Sequence, residues 1–398
     1  MPEQSGQRRG LAWLLAALSA LGPFSIDAYL PSFAAIGHSL DASPLQVQQT
    51  LSVYLFAFAA MSLWHGALAD RYGRRRVILA ALLLFALASL GCLLATSIGQ
   101  LWFWRAWQGV TAGAGIVVSR AIVRDLFDDA DAQRLMARIT MIFALAPAIA
   151  PLLGGWLQVN FGWRAVFAFL ALSTVALWLA CLKWLPESLP PEKRQPLHPT
   201  YLLGAYRKVL STPGFLAACA ALSLNFAGFF IYVLSAPVFV MQHLGLPETA
   251  FLWLFAPAML GLLAGSALSG QLAGRRSAAY CLRLGYALMA LAATVNLLYH
   301  HVFPPTLPWS ILPIGLYTSG MALAMPSLTL AALDLFPRQR GLAASCQTFL
   351  QSSFNGLCAA LIAPALWSSA RHLSLGMAGL LLLGALASQR QWRGRAAA

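Results

Sequence analysis

Residues 66–97 read GALADRYGRRRVILAALLLFALASLGCLLATS, a short charged loop followed by an apolar run at 77–97. An α-helix rises 1.5 Å per residue, so a run of this length crosses the ~30 Å hydrocarbon core of a bilayer. Barrel strands would instead alternate polar and apolar side chains over ~10 residues. The stretch therefore predicts a transmembrane helix that begins just after a positively charged loop.

Apolar runs of similar length recur along the whole chain. Of its 398 residues, 60% are hydrophobic and 10% are charged, whereas soluble domains carry roughly a quarter charged residues. We predict an all-α membrane protein with twelve transmembrane helices. The predicted spans are approximately 11–33, 47–69, 77–97, 101–123, 136–158, 164–184, 214–240, 248–272, 278–299, 309–333, 341–363 and 371–388.

The formal net charge of +14 raises nucleic-acid binding as an alternative. The positions of the basic residues decide against it, because they collect on one side of the predicted membrane, while Arg164 and Arg371 lie on the other. This positive-inside bias predicts that both termini are cytoplasmic and that no nucleic acid is bound. The cytoplasmic set is Arg8, Arg9, Arg71, Arg74, Arg75, Arg76, Arg124, Arg134, Arg138, Lys193, Arg194, Arg207, Lys208, Arg275, Arg276, Arg338, Arg340, Arg390, Arg393 and Arg395.

The predicted spans fall into two groups of six. Residues 186–212 are rich in proline and charge, which predicts a cytoplasmic linker between a six-helix bundle at 1–185 and another at 213–398. Residues 270–276 (GQLAGRR) echo residues 66–74 (GALADRYGR), which indicates a parallel repeat. In such an architecture we expect substrate to bind near the bilayer midplane between the halves.

The loop at 66–76 resembles the major facilitator superfamily, whose loop after the second helix has the pattern G-x-L-[AS]-D-R-x-G-R-[RK]. Residues 26–31 (IDAYLP), 105–109 (RAWQG) and 146–155 (APAIAPLLGG) are similar to its drug:proton antiporter branch, in particular to the bicyclomycin/chloramphenicol-resistance (Bcr/CflA) group. Two glycines of the fuller antiporter motif are replaced by Ala146 and Ala150. The resemblance implies proton-coupled export of small amphipathic drugs or toxic compounds across the bacterial inner membrane by alternating access. We further expect a monomer that needs no cofactor.

Asp27 is the one acid predicted to lie within a span, where ionising it in hydrocarbon would cost ~2.5–3.5 kcal/mol or more. Such a carboxyl group can take up and release protons. The alternative is that Asp27 faces water and caps the helix before Pro31. Arg105 in the fourth span matches the arginine that the family resemblance implies in proton coupling, although its side chain can also reach the interface without a partner.

The loop motif and its neighbours predict a charged gate. Asp70 can meet the positive end of a helix and Arg74 can pair with a carboxylate, for which the resemblance implies Asp125. The alternative is a solvated loop. The residues predicted to act in gating or conformational change are Gly66, Asp70, Arg71, Gly73, Arg74, Asp125, Pro151, Gly154 and Gly155.

Polar side chains within the predicted spans are candidates for a substrate cavity. Gln347, Gln351 and Asn355 are spaced by four, so they share one helix face. Hydrogen bonding between helices is the competing explanation. The full set of cavity candidates is Tyr29, Tyr54, Gln108, Asn225, Tyr232, Gln347, Gln351 and Asn355.

Other function classes fit the sequence less well. A transporter of a specific metabolite, such as an amino acid or nucleoside, remains an alternative within the same fold. A membrane enzyme would need clustered His, Asp or Ser within the spans, and a receptor would more often carry a long soluble extension; neither pattern is found. The chain has no P-loop and no metal-ligand spacing, so we expect neither ATP nor a metal to take part.

Overall fold

The computed structural model describes residues 2–127, 129–194, 199–337 and 339–396, and all regular structure in these ranges is helical. Pro196 of the predicted linker and Arg338 lie outside the described residues. The chain divides into two compact units, Met1–Pro199 and Thr200–Ala398, which we call unit 1 and unit 2.

Unit 1 contains eight helices before the predicted linker. They are α1 (Pro2–Asp27), α2 (Phe33–Ser39), α3 (Pro44–Ser62), α4 (His65–Tyr72), α5 (Arg74–Leu93), α6 (Ile98–Leu126), α7 (Asp129–Phe161) and α8 (Arg164–Trp184). Apolar side chains of α1, α5, α6, α7 and α8 form one core. Its buried members include Leu15, Ile78, Ile122, Ile139 and Cys181.

Unit 2 begins with a helix that the sequence did not predict. Its helices are α9 (Pro199–Leu210), α10 (Pro213–Leu234), α11 (Leu252–Leu272), α12 (Ala278–Val302), α13 (Leu312–Leu333), α14 (Arg340–Leu357), α15 (Ala363–Leu366) and α16 (Ala370–Ala396). In α9, Tyr206 and Val209 are buried while Arg207 and Lys208 are exposed. The short α9 therefore lies with one face against unit 2, in a region where proline and charge had indicated only a linker.

Several predicted spans are interrupted by local backbone changes. The first span ends as an α-helix at Asp27, continues through a 3₁₀ turn at Leu30–Ser32 and resumes as α2. The second is bent by 49° between α3 and α4. The seventh and eleventh contain π-helical segments at Pro237–His243 and Cys358–Ile362. By contrast, α7 runs without interruption across Pro147 and Pro151.

Within the described residues, nine helices are long and apolar enough to cross a membrane, or ten if the bent pair α3 and α4 is one span. The predicted fourth span is the 29-residue α6, which carries three arginines and Asp125. The predicted fifth span lies in α7, whose side chains are only partly described. The count of twelve and the cytoplasmic placement of both termini remain predictions.

Glycines bring helix backbones into direct contact in unit 1. A Cβ atom at Gly109 of α6 would collide with the backbone oxygen of Tyr54, and one at Gly154 of α7 would collide with that of Ala28. Small residues at such positions let membrane helices approach closely. Within lipid the hydrophobic effect does not drive helices together, so the dispersion contacts between closely packed backbones stabilise their association. These contacts hold α3 and α7 against the segments that carry the candidate site.

Candidate functional site

Asp27 is the last residue of α1, and its side chain is only 5% exposed. The chain leaves the α-helix here and enters the 3₁₀ segment at Leu30–Ser32, which contains Pro31. Among the described residues, no hydrogen bond or ion pair reaches the Asp27 carboxylate. A buried carboxylate without a counterion is costly when ionised, so this group is suited to carrying a proton.

Arg105 of α6 is fully buried and is held by other polar groups. Its Nη1 atom donates to Oε1 of Gln108 at 2.7 Å and to the backbone oxygen of Ser25 at 3.4 Å. Its guanidinium carbon lies 4.8 Å from the ring centroid of Tyr29 and 4.5 Å from that of Tyr54. Two aromatic faces therefore stabilise the cation by cation–π attraction.

Further hydrogen bonds hold these partners in place. The Gln108 amide donates to Oγ of Ser89 at 2.8 Å, and the hydroxyls of Tyr29 and Thr50 lie 2.7 Å apart. The Tyr54 hydroxyl donates to the backbone oxygen of Gly22 at 3.1 Å. We call Ser25, Tyr29, Tyr54, Ser89, Arg105 and Gln108 the Arg105 cluster.

The Arg105 cluster satisfies only part of the Arg105 guanidinium and lies close to Asp27. The Nε and Nη2 atoms of Arg105 are buried without a hydrogen-bond partner among the described residues. Ser25, two residues before Asp27, contacts both Arg105 and the Tyr54 hydroxyl, whereas no ion pair between Asp27 and Arg105 is found among the described residues. Asp27 therefore lies in the same buried region as Tyr54 and Arg105, and its role in proton coupling remains a prediction.

Four of the predicted gate residues, Asp70, Gly73, Arg74 and Asp125, meet at the junction of α4 and α5. Gly73 has a φ of 98°, a conformation that favours glycine, and it ends α4 and begins α5. The Arg74 side chain pairs with Asp70, and its Nε atom lies 3.2 Å from Oδ2 of Asp125 on α6. Arg71 is exposed. Arg74 therefore ties the end of α4 and the end of α6 to the start of α5.

Two residues in the segment after α8 join this arrangement, and sequence reasoning missed both. Oε1 of Glu187 accepts from the backbone N–H of Arg74 at 2.9 Å, and the Ser188 hydroxyl donates to Oδ2 of Asp125 at 2.8 Å. Glu187 thus places a negative charge at the N-terminus of α5, where the helix dipole favours one. We call Asp70, Arg74, Asp125, Glu187 and Ser188 the Arg74 network.

The contact made by Glu187 has no local signal in the sequence. Its partner, the Arg74 backbone N–H, lies 113 residues away in the chain, so no local pattern links the two. A Cβ atom at Gly73 would collide with the Glu187 carboxylate. Gly73 is therefore needed for its backbone conformation and for the space that Glu187 fills.

Two of the cavity candidates in unit 2 form hydrogen bonds between helices. The Asn225 amide on α10 donates to the Tyr286 hydroxyl on α12 at 2.8 Å, and that hydroxyl donates to the backbone oxygen of Gly384 at 3.1 Å. The Tyr232 hydroxyl accepts from the Asn296 amide at 2.7 Å. These contacts favour the interhelical explanation for Asn225 and Tyr232, whereas their role in a cavity remains a prediction.

The three polar candidates on α14, Gln347, Gln351 and Asn355, have fewer hydrogen-bond partners than Asn225 and Tyr232. Gln347 and Gln351 are partly exposed and Asn355 is buried. Oε1 of Gln347 and Oδ1 of Asn355 have no hydrogen-bond partner among the described residues. Since buried polar atoms are normally paired, this face of α14 is suited to contact with water or a polar ligand.

The family model for the Major Facilitator Superfamily matches residues 12–359. The chain belongs to this superfamily. The fold is similar to the solved structure of a peptide transporter, crystallised as a mutant with alafosfalin, with a TM-score of 0.75 at 14% sequence identity. The match covers 96% of this chain and 94% of the peptide transporter chain. That likeness concerns the fold.

Relatives within the Major Facilitator Superfamily indicate which kind of transporter this chain resembles. A bicyclomycin resistance protein homolog of Haemophilus influenzae is 28% identical over 375 residues, covering 94% of each chain. Multidrug resistance protein D of Escherichia coli is 27% identical over 376 residues, again covering 94% of each. These findings confirm the resemblance to the bicyclomycin/chloramphenicol-resistance type. The chain is a multi-pass membrane transporter of this superfamily, and not an enzyme.

Proposed function

We propose that the chain exports small amphipathic drugs or toxic compounds across the bacterial inner membrane in exchange for protons, by alternating access. The observation that carries the proposal is Asp27, a buried carboxylate with no cation paired to it among the described residues. Relatives named for bicyclomycin and multidrug resistance support the substrate class.

Proton coupling needs a group that is neutral when sealed from water and ionised when exposed to it. Asp27 has this character because its burial disfavours the charged form. Arg105 does not cancel this effect, since its charge is held by Gln108 and two aromatic rings. Protonation of Asp27 therefore changes the net charge of the buried region from zero to one.

The energy available from a proton is sufficient for concentrative export. One proton moving down a potential of ~100 mV releases about 2.3 kcal/mol. Since about 1.4 kcal/mol corresponds to a tenfold gradient, each proton supports a substrate gradient of about 50-fold. The coupling works only if the carboxyl group unloads its proton once in each cycle.

The test compares Asp27→Asn with Asp27→Glu in proteoliposomes under an imposed pH gradient. We expect Asp27→Asn to fold and bind substrate but to lose uphill export and its dependence on the gradient, because the amide cannot release a proton. Asp27→Glu should keep partial activity over a shifted pH range. Asp41→Asn is the matched control, since Asp41 is exposed and its φ of 48° is tolerated by asparagine.

Two results would contradict the proposal in different ways. Uphill export by Asp27→Asn at the wild-type rate would show that another group carries the proton. A growth-inhibition panel in a pump-deleted bacterial host addresses the substrate separately. Protection against several chemically unrelated drugs supports drug export, and protection against one metabolite analogue alone would identify a specific metabolite exporter.

A further inference from the structure

A cavity of about 420 Å³ lies between α12 and α16, within unit 2. Its polar lining comes from Arg283 and Tyr286 in the first turns of α12 and from Ser388 and Gln389 near the end of the apolar part of α16. We call this the α12–α16 groove. None of its residues belongs to the Arg105 cluster or to the Arg74 network.

Arg283 is the one charged side chain in the groove lining. It is exposed, and no ion pair or hydrogen bond from the described residues engages its guanidinium group. The Tyr286 hydroxyl is already used by Asn225 and Gly384. The groove therefore presents a free cation, which can bind a phosphate with two parallel N–H donors.

Apolar surface lies directly beside this cation. Ala279, Leu282 and Ala385 complete the lining, and most of the exposed groove surface is apolar. Both helices belong to spans long and apolar enough for a bilayer. A ligand that suits the groove therefore has an anionic group joined to apolar chains, unlike a free inorganic anion.

The surrounding charge favours the same kind of ligand. After Glu248 the chain contains nine arginines and a single acid, Asp334, which pairs with Arg340 at 2.9 Å. Arg275 and Arg276 precede α12 at the end where the groove lies, and no acid faces it among the described residues. A cationic patch at the membrane surface attracts anionic lipids.

We propose that the α12–α16 groove binds an anionic phospholipid, with the headgroup phosphate on Arg283 and the acyl chains along the apolar lining. Under the predicted orientation, this lipid belongs to the cytoplasmic leaflet, which is rich in anionic lipid. The lipid bridges two helices of one unit, so its binding is separate from proton coupling at Asp27.

Native mass spectrometry of the full chain tests the proposal with defined lipids. Phosphatidylglycerol should bind about fivefold more tightly than phosphatidylethanolamine with the same acyl chains, as expected for one arginine near a membrane surface. Arg283→Gln should bring the two affinities together, and Arg283→Lys should keep most of the difference. Millimolar inorganic phosphate should not displace the lipid.

The matched control is Arg371→Gln, which removes an exposed arginine at the opposite end of α16 and should leave lipid binding unchanged. Ala385→Trp, which fills the groove without changing charge, should weaken binding of both lipids. Equal phosphatidylglycerol binding by wild type and Arg283→Gln, or an equal loss in Arg371→Gln, would overturn the proposal. Displacement by inorganic phosphate alone would instead identify a simple anion site and also overturn it.

Discussion

The Arg74 network makes a quantitative prediction about two arginine–aspartate pairs in the same chain. Arg74 and Asp125 are 3.2 Å apart, with side chains 10% and 23% exposed. Arg340 and Asp334 are closer, at 2.9 Å, but are 62% and 47% exposed. If burial matters more than distance, the first pair should be the stronger despite its longer contact.

The expected magnitudes follow from solvent screening. Exposed ion pairs contribute about 0.2–1 kcal/mol, and many contribute nothing measurable. Hydrogen bonds to charged groups that are partly shielded from water contribute about 1.5–3 kcal/mol. We therefore expect a coupling energy of about 1–2 kcal/mol for Arg74 with Asp125, and below about 0.5 kcal/mol for Arg340 with Asp334.

Double-mutant cycles with alanine measure both couplings in the free energy of unfolding. Unfolding in mixed micelles with rising dodecyl sulfate can be followed by the fluorescence of the 13 tryptophans. The loss of the Ser188 hydrogen bond in Asp125→Ala occurs in both arms of its cycle and cancels to first order. A coupling energy for Arg74 with Asp125 that is no larger than that for the exposed pair would refute the reasoning.

The same network is predicted to act in gating. The rate of substrate export should therefore fall in Arg74→Ala at normal protein abundance, and an unchanged rate would show that Arg74 does not act as a gate.

Two further predictions concern packing and orientation. Gly154→Ala should lower the free energy of unfolding by about 1–3 kcal/mol, because its Cβ would collide with the Ala28 backbone. Gly379→Ala, which has open space around it, should be neutral or slightly stabilising. Equal thermal unfolding midpoints for the two variants would contradict this expectation. A cysteine at Asp41 should react with an impermeant reagent in intact cells and one at Arg393 should not, on a background without native cysteines. The reverse labelling would overturn the predicted orientation.

Much of the fold follows from hydrophobic runs and their flanks. The predicted eighth span, 248–272, corresponds to α11 at Leu252–Leu272, and the predicted 164–184 coincides with α8. Long apolar segments are local signals, since a bilayer requires every backbone group to be paired within its own helix. The short amphipathic α9 carries no such signal, because its burial depends on contacts with the rest of unit 2.

The candidate site was predictable only where a motif is local. The loop at 66–76 pointed to Arg74 and its carboxylate partners, but it contained nothing about Glu187 or Ser188. Likewise, Ser89 and Thr50 look like any other small polar residues in a span, although they position Gln108 and Tyr29. Their partners come from other helices, and a single sequence does not contain those pairings.

The sequence by itself determined that this is a helical membrane transporter of the Major Facilitator Superfamily, since composition, charge bias and the loop motif act locally. Only the tertiary structure decided that Arg105 is held by Gln108 and two tyrosine rings while Asp27 has no counterion among the described residues. The physical reason is that the electrostatics of a buried charge depend on which helices pack around it. That packing is set by contacts such as Gly154 against Ala28, between residues far apart in the chain.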